Sequence, residues 1–596
     1  MSPTTEPRPT EIVFIGGKVL TVDASFSIAA GVAVRDGRIV AVGSEDAVRS
    51  AVSAGSQVVD LAGRTVIPGM IDAHAHMDSW WRNYPSLRDC RSIKDIQATV
   101  SALASMHRPG EWIVLRQLAD PEDKAPHNLA EGRYPNRHDL DLAAPDNPVW
   151  IIGTYSAPSI ANSAALALGG VTRNTPQPQR LERVLDSRTT DWIPSPGGRI
   201  DIDASTGEPT GVLYDHDMLL AQPTTAGLAR HLAVPSHGDR VEYLRDAVNE
   251  FNSLGITAIH EGHGVSSPVG ECTRAYLDLW SRGELTVRTQ LVPNLATGGP
   301  IEEVIAQLDQ LSYASHQGAG DDLLRFAGVG VTLDGPGGAL DSVQPKAESW
   351  PGPHDEIREG VRRMSRSTFA AIAEEAARRG FRLSTKAGGE PMVDWVLDVY
   401  GDADARWGIH DRRWLMIHSQ FTQKRQMARL RDLGVAVATC ANFIWNHGAT
   451  YVAGYGREVA GRSVPFRSFL DAGVAVANES DTTPKSPMFA LWLMTTRTDG
   501  VTGECLGPDQ RITREQALRV LTNNGASLLG MEDRVGSIEV GKYADLVVLA
   551  DDLLGVDDER VKDLEVDATM MGGRFVYMRA GTGLSVTAPA AVSGRR

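Results

Sequence analysis

Residues 66–78 read Val-Ile-Pro-Gly-Met-Ile-Asp-Ala-His-Ala-His-Met-Asp, an apolar, strand-like run ending in His74-x-His76. Side chains two apart on a strand leave the same face, so both imidazoles can converge on one point. Neutral imidazole is the commonest metal ligand, and a strand end opening on a cavity can hold a metal with coordination positions to spare. Alone, the pair is also readable as two solvated or hydrogen-bonded histidines. Two later strand ends change the balance: His418 closes WLMIH (414–418) and Asp481 closes VAVANESD (474–481). A lone histidine finds a hydrogen bond easily, and an aspartate there also suits a helix N-cap or an Asx turn. On strands of one parallel barrel, however, all these ends face one cavity. His74, His76 and Asp481 would then offer a metal two nitrogens and a carboxylate, leaving room for water.

The elements that must position these residues are legible as strand–helix alternation. Strands are expected at 255–261, 285–292, 323–333, 381–387, 414–418, 435–441 and 474–481, which with the strand carrying His74 makes eight. Amphipathic helices fit at 241–255 and 367–380, the second ending at a C-cap glycine. The fold class expected is α/β, a TIM (β/α)8 barrel over 67–525 with its site at the C-terminal strand ends; a doubly wound sheet is the rival. Residues 83–240 are too long for one βα connection and read as an inserted subdomain after barrel strand 1. Short β-rich runs with glycine turns fill 1–66 and return in 526–580, as expected of one small β-sandwich built from both chain ends; Arg35-Asp36-Gly37-Arg38 is a hairpin signal. Residues 581–596 read as a disordered tail.

At 596 residues, 42% hydrophobic and 22% charged, the chain is an ordinary globular protein of two or three domains. Its net charge of −16 argues against general nucleic-acid binding. Cys90, Cys272, Cys440 and Cys505 form no CxxC, so neither a disulfide framework nor a structural zinc site is indicated. No signal-peptide pattern and no membrane-length apolar run is present, which makes the cytoplasm the expected address and excludes a membrane partner. A homodimer is compatible with this composition.

Longer motifs sharpen the reading. PGMIDAHAH (68–76), GEPTGVLYD (207–215), GITAIHE (255–261), GELTVR (283–288), VGVTLDG (329–335), GFRLSTKAGGEPMVDWVLDVY (380–400), MIHSQ (416–420), NESDTTPKSP (478–487) and GSIEVGKYADLVVL (536–549) resemble the amidohydrolase superfamily, family 3, in its YtcJ-like branch. The resemblance spans most of the chain and implies a metal-dependent hydrolase. It also implies a dual role for Asp481, which takes a proton from water and passes it to the leaving nitrogen. Departures matter as much. The family resembled usually carries a carboxylated lysine where this chain has Gly330, and His-Ala-x-Gly-Asp where this chain has Lys386-Ala-Gly-Gly-Glu390. Its usual histidine in the inserted domain has no counterpart near Tyr155–Ser163. The usual two-metal centre is therefore not expected.

Lys386 stays open between three readings: a carboxylated anionic ligand, a neutral amine acting as ligand or general base, and a cation standing in for a metal. Its plain alternative is an inward lysine paired to Glu390 or Asp481. His260 and Glu261 read first as a core-satisfied pair. Trp80, Trp81 and Arg82 after the HxH, and Trp445, Asn446 and His447 after strand seven, are candidate pocket-lining residues in loops, with ordinary packing the alternative. A solvated charge is the default for Lys485. The expected activity is hydrolysis of an amide-like, non-peptide C–N bond of a small organic molecule, with an aromatic one the suggested class, using one divalent metal, zinc by preference, per chain. His74, His76 and Asp481 would be ligands, and His418 a further ligand or the carbonyl polariser. The alternatives are a lyase, isomerase or decarboxylase using Lys386 as base or Schiff-base nucleophile, and a metal-free binding protein.

Overall fold

The structure, a computed structural model, describes residues 11–77, 84–118, 129–152, 158–177, 182–184, 192–194, 199–214, 236–262, 269–295, 297, 300–314, 317–334, 364–481 and 486–587. Nine short strands carry the site: β1 (Met70–Ala75), β2 (Ile256–Glu261), β3 (Arg288–Leu291), β4 (Leu324–Phe326), β5 (Val329–Thr332), β6 (Leu383–Ala387), β7 (Leu415–His418), β8 (Ala436–Thr439) and β9 (Val476–Asn478). They form two all-parallel sheets, ordered β4-β3-β2-β1 and β5-β6-β7-β8-β9. Single parallel bridges join the two sheets, Ala75 of β1 to Asp481 beyond β9 and Asn294 beyond β3 to Gly330 of β5. Buried on both faces, such strands read as near-continuous apolar runs, as β8 (AVAT) and β9 (VAN) do. Helices alternate with them: α1 (His237–Ser253), α2 (Val269–Ser281), α3 (Ile301–Ala314), α4 (Arg366–Arg378), α5 (Glu390–Trp407), α6 (Lys424–Asp432), α7 (Asn442–Tyr455) and α8 (Pro487–Thr496). Phe369, Ile372 and Ala376 of α4 and Val393, Val396 and Tyr400 of α5 share a core with Val329, Val331 and Leu383 of the strands.

The 323–333 run, expected as one strand, is two. Gly328 takes φ 142°, and a Cβ there would lie 2.4 Å from the Arg382 carbonyl oxygen. At that point the chain changes partner: β4 pairs with β3 and β5 pairs with β6.

The insertion has a framework of its own, a six-stranded sheet running from Ser86–Leu87 through Ile113–Leu118, Val149–Ile152, Ser159–Ala161 and Pro209–Tyr214 to Arg199–Ile202. Its core includes Leu115, Leu140, Ile151 and Ile160. Two further sheets draw on both chain ends. In one, Leu546–Leu549 pairs antiparallel with Thr65–Pro68, and buried Phe14, Val32, Val66, Leu546 and Met570 form one cluster. The Asp36-Gly37 turn, with φ 49° and 81°, closes the hairpin between Gly31–Arg35 and Arg38–Gly43. The stretch read as a disordered tail supplies a strand: Ser585–Thr587 pairs antiparallel with Gln57–Asp60, which offers an open sheet edge to Val586 and its neighbours. Among the described residues, no helix is long and apolar enough to cross a membrane.

Candidate metal centre

β1 is buried along its whole length and delivers His74, with His76 just beyond its end. Asp481 comes from the segment after β9, and the two segments are cross-linked by backbone. The Asp481 amide donates to the His74 carbonyl (3.0 Å) and the His76 amide to the Asp481 carbonyl (3.2 Å). Buried Asp72 adds a third tie, its Oδ1 accepting from the amides of Ser480 (3.0 Å) and His74 (3.2 Å). Asp481, His418 and Ser419 take φ of 56°, 73° and 49°. Each left-handed non-glycine residue costs roughly 1–3 kcal/mol and persists only where its surroundings hold it, as functional sites often do. The Ser419 amide is held by the Ala387 carbonyl at 3.1 Å.

His76 Nε2 lies 3.3 Å and His74 Nε2 3.9 Å from Asp481 Oδ1. One ligand atom from each of the three residues falls within 4.8 Å of the others. Among the described residues, neither nitrogen of fully buried His74 has a hydrogen bond. Burying an imidazole that way is costly unless something else takes its lone pair. The donor set, two imidazoles and a carboxylate, fits a divalent cation of the zinc type.

Lys386 Nζ lies 3.2 Å from His76 Nε2, the nitrogen that also faces Asp481. That nitrogen has either one proton or one lone pair, so it serves one of the two at a time. His418 stands apart from the three-residue cluster. Its ring centroid is 5.8 Å from that of His74, and its Nδ1 is 2.7 Å from Glu479 Oε1.

The electrostatics follow from burial and neighbours. Burial, then the nearby Lys386 charge, push the His74 imidazole well below its ordinary pKa, which keeps it neutral and able to ligate. Burial alone would raise the Asp481 carboxyl, but the His76 hydrogen bond and the cationic side of His418, His76 and Lys386 hold it well below the usual carboxylate range. Burial opposes protonation of His418, yet the adjacent Glu479 carboxylate more than offsets this and raises it. Burial raises Glu479 itself and takes Asp72 to about 7.

The remaining sequence candidates separate cleanly. Gly330 lies against Asn294: a Cβ at 330 would be 2.1 Å from Asn294 Oδ1. Glu390 pairs with Arg425 (2.9 Å) rather than with Lys386. Asp334 Oδ2 accepts from the amides of Gly388 (2.8 Å) and Gly389 (3.0 Å), fixing the turn after Lys386. Glu261 Oε2 accepts from the Met77 amide (2.8 Å) and the Tyr276 hydroxyl (2.6 Å) in the core, and His260 Nε2 is 3.1 Å from Ser384 Oγ. Trp445, Asn446 and His447 belong to helix α7, not to a loop. Phe443, His447 and Tyr451, four residues apart, stack successively along it, and Trp445 packs on Phe489 and Trp492. Trp80, Trp81, Arg82 and Lys485 lie outside the described residues. Sequence reasoning missed Glu479, Asp72 and Asn294. Glu479 had a signal, since strand alternation sets it on the same side as Asp481.

Parallel strands with interleaved helices, and a histidine–carboxylate cluster where the strands end, define an α/β protein with a candidate hydrolytic metal site. Residues 57–577 match the model of the amidohydrolase family, and the chain belongs to that family. It is 29% identical to the N-substituted formamide deformylase of Arthrobacter pascens, over 96% of this chain and 99% of that one. It is 23% identical to the YtcJ amidohydrolase of Bacillus subtilis (strain 168), over 95% and 99% of the two chains. An uncharacterized metal-dependent hydrolase from Pyrococcus horikoshii OT3 shares the fold, with a TM-score of 0.67 at 20% identity over 92% of this chain and 99% of that one.

Proposed function

We propose that this chain is a metal-dependent hydrolase of amide-like, non-peptide C–N bonds in small organic molecules, with N-substituted formamides the first substrate class to test. The observation that carries this reading is the convergence of His74, His76 and Asp481, with neither nitrogen of buried His74 hydrogen-bonded among the described residues. The name of the Arthrobacter pascens relative supports the choice of formamides. The two bridged parallel sheets are read as one closed (β/α)8 barrel over 67–525 interrupted by the subdomain at 83–240, and the two terminal sheets as a small sandwich from 1–66 and 526–580.

One divalent cation, zinc by preference, would be held by His74, His76 and Asp481. Bound there, it supplies Lewis-acid chemistry, polarising a carbonyl oxygen and acidifying water. Asp481, ionised at neutral pH, takes the proton of the attacking water on its carboxylate and returns it to the amine nitrogen, which leaves only once protonated. His418, as the imidazolium favoured by the adjacent Glu479 carboxylate, donates Nδ1–H to Glu479 and offers Nε2–H to the carbonyl oxygen as negative charge develops there. Lys386 keeps the Asp481 side of the site cationic.

The test is metal analysis of purified protein, followed by a panel of formamides, N-acyl amines, cyclic amides and esters. About one metal per chain and turnover of a C–N substrate support the reading; metal-free protein inert to the whole panel would sink it. The position of Lys386 Nζ beside His76 favours a second reading, a lyase or isomerase working through a lysine Schiff base. Borohydride trapping of substrate on Lys386 would select that reading over hydrolysis.

A further inference from the structure

We infer that Glu479 is a positioning residue for His418, the group that fixes how this imidazole faces the reaction space; the inference rests on the function proposed above. His418 ends β7 in a left-handed conformation, and Ser419 follows it in another. The strand therefore turns sharply, and the ring is set by its side-chain contacts rather than by strand direction. Three contacts define it. Glu479 Oε1 meets Nδ1 at 2.7 Å. Phe443 lies edge-on at 5.6 Å between centroids, with planes 62° apart, and His74 lies T-shaped at 5.8 Å and 78°. With Nδ1 taken and both flanks packed, Nε2 is the ring atom left for a substrate. It has no hydrogen bond among the described residues.

Glu479 is built unlike an ordinary structural ion pair. Its side chain is 0% exposed, yet only Oε1 is bonded, and Oε2 is buried with no hydrogen-bond partner among the described residues. A buried carboxylate oxygen left unpaired costs about 1–3 kcal/mol or more, which packing alone gives no reason to retain. Orientation of an imidazole by a carboxylate on its far nitrogen gives one: it fixes which nitrogen is presented and at what angle, and loss of such a partner typically lowers activity about 10–100-fold. The chain holds Glu479 in place through its amide, which donates to the Thr439 carbonyl at 3.1 Å.

The experiment pairs a substrate-free readout with kinetics, so that failure of the substrate assignment stays separate from failure of this inference. Proton NMR of the free, metal-loaded protein labelled with nitrogen-15 histidine should show a downfield imidazole N–H signal that vanishes in both His418→Ala and Glu479→Ala. On the substrate identified by the panel, Glu479→Ala should lose about 10–100-fold in kcat, with KM and bound metal close to wild type. Glu479→Gln, which can still accept the Nδ1 proton, should recover part of the loss. Wild-type kcat in Glu479→Ala, a downfield signal that survives it, or metal lost in step with activity overturns the inference. If Glu479→Ala does not fold, Glu479→Gln decides: a lost signal with unchanged kcat overturns it equally.

Discussion

Gly330 offers a sharp test of how the site is built. A Cβ there would sit 2.1 Å from Asn294 Oδ1, 1.3 Å inside ordinary contact. The backbone cannot retreat cheaply. The Gly330 amide donates to Pro293 and its carbonyl accepts from Leu295, both at 2.9 Å, and these two bonds join the parallel sheets. The Asn294 side chain must therefore move. Its Nδ2 has no hydrogen bond among the described residues, so turning the amide breaks little beyond packing. Gly330→Ala should then cost about 1–2 kcal/mol, toward the low end of overpacking penalties. Because the clash is with one side chain, most of that cost should vanish in an Asn294→Ala background, a coupling of about 1 kcal/mol. Amide hydrogen exchange over 288–334, read by mass spectrometry, reports the local opening free energy and suits a chain too large for one global unfolding transition. A strictly additive cycle, or a Gly330→Ala protein as protected as wild type, would refute the account of why glycine occupies this position.

Four other outcomes follow. Asp481→Asn should keep some metal but lose about 10²–10⁴-fold in turnover; an active Asn variant removes Asp481 from proton transfer. His74→Ala should come through dialysis with most of its metal gone by elemental analysis, and wild-type stoichiometry would exclude His74 as a ligand. Arg288 and Asp545 form a buried bidentate pair at 2.7 and 3.0 Å, with Asp545 Oδ1 also accepting from Gly572 at 2.7 Å. Asp545→Asn removes the carboxylate paired with the buried guanidinium and should lower the local opening free energy by about 3–5 kcal/mol, while the Arg288→Met/Asp545→Leu double variant recovers much of it, both read by amide hydrogen exchange; equal protection of Asp545→Asn and wild type would refute this. Glu532 is held below the usual carboxylate range chiefly by its hydrogen bond from Arg413. Its stabilising effect is thus present above the unfolded pKa and lost as pH falls through the lower folded one. The melting-temperature gap between wild type and Glu532→Gln should shrink in acid, and a pH-independent gap would contradict it.

How far the chain could be read in advance depended on whether a signal was local. His74, His76 and Asp481 announced themselves through strand ends and ligand chemistry, and the structure gathers all three. The partner of Lys386 needed three-dimensional information: Glu390, close in sequence, is taken by Arg425, while His76 arrives from another strand. Gly330 looked like a missing group until Asn294 was found filling its space. The loop assigned to Trp445–His447 was a misread period, since Phe443, His447 and Tyr451 already carry the four-residue spacing of a helix face. The break in the 323–333 run depended on Gly328 pressing on Arg382, a contact no strand propensity encodes.

The ties between β1 and the segment after β9 have a consequence for synthesis. Asp72 and Ser480, which hydrogen-bond across this seam, are 408 residues apart in the chain. During translation His74 and His76 leave the ribosome long before Asp481 exists, so a nascent chain offers an ion the two imidazoles without the Asp481 carboxylate. Closing so long a loop is among the slower acts of folding. A cation held by the complete trio would bind the closed molecule in preference to the open chain and stabilise it by mass action. Metal retention would therefore report that the chain has passed Asp481 and closed the seam, and chains truncated before Asp481 should emerge metal-poor and open to proteolysis.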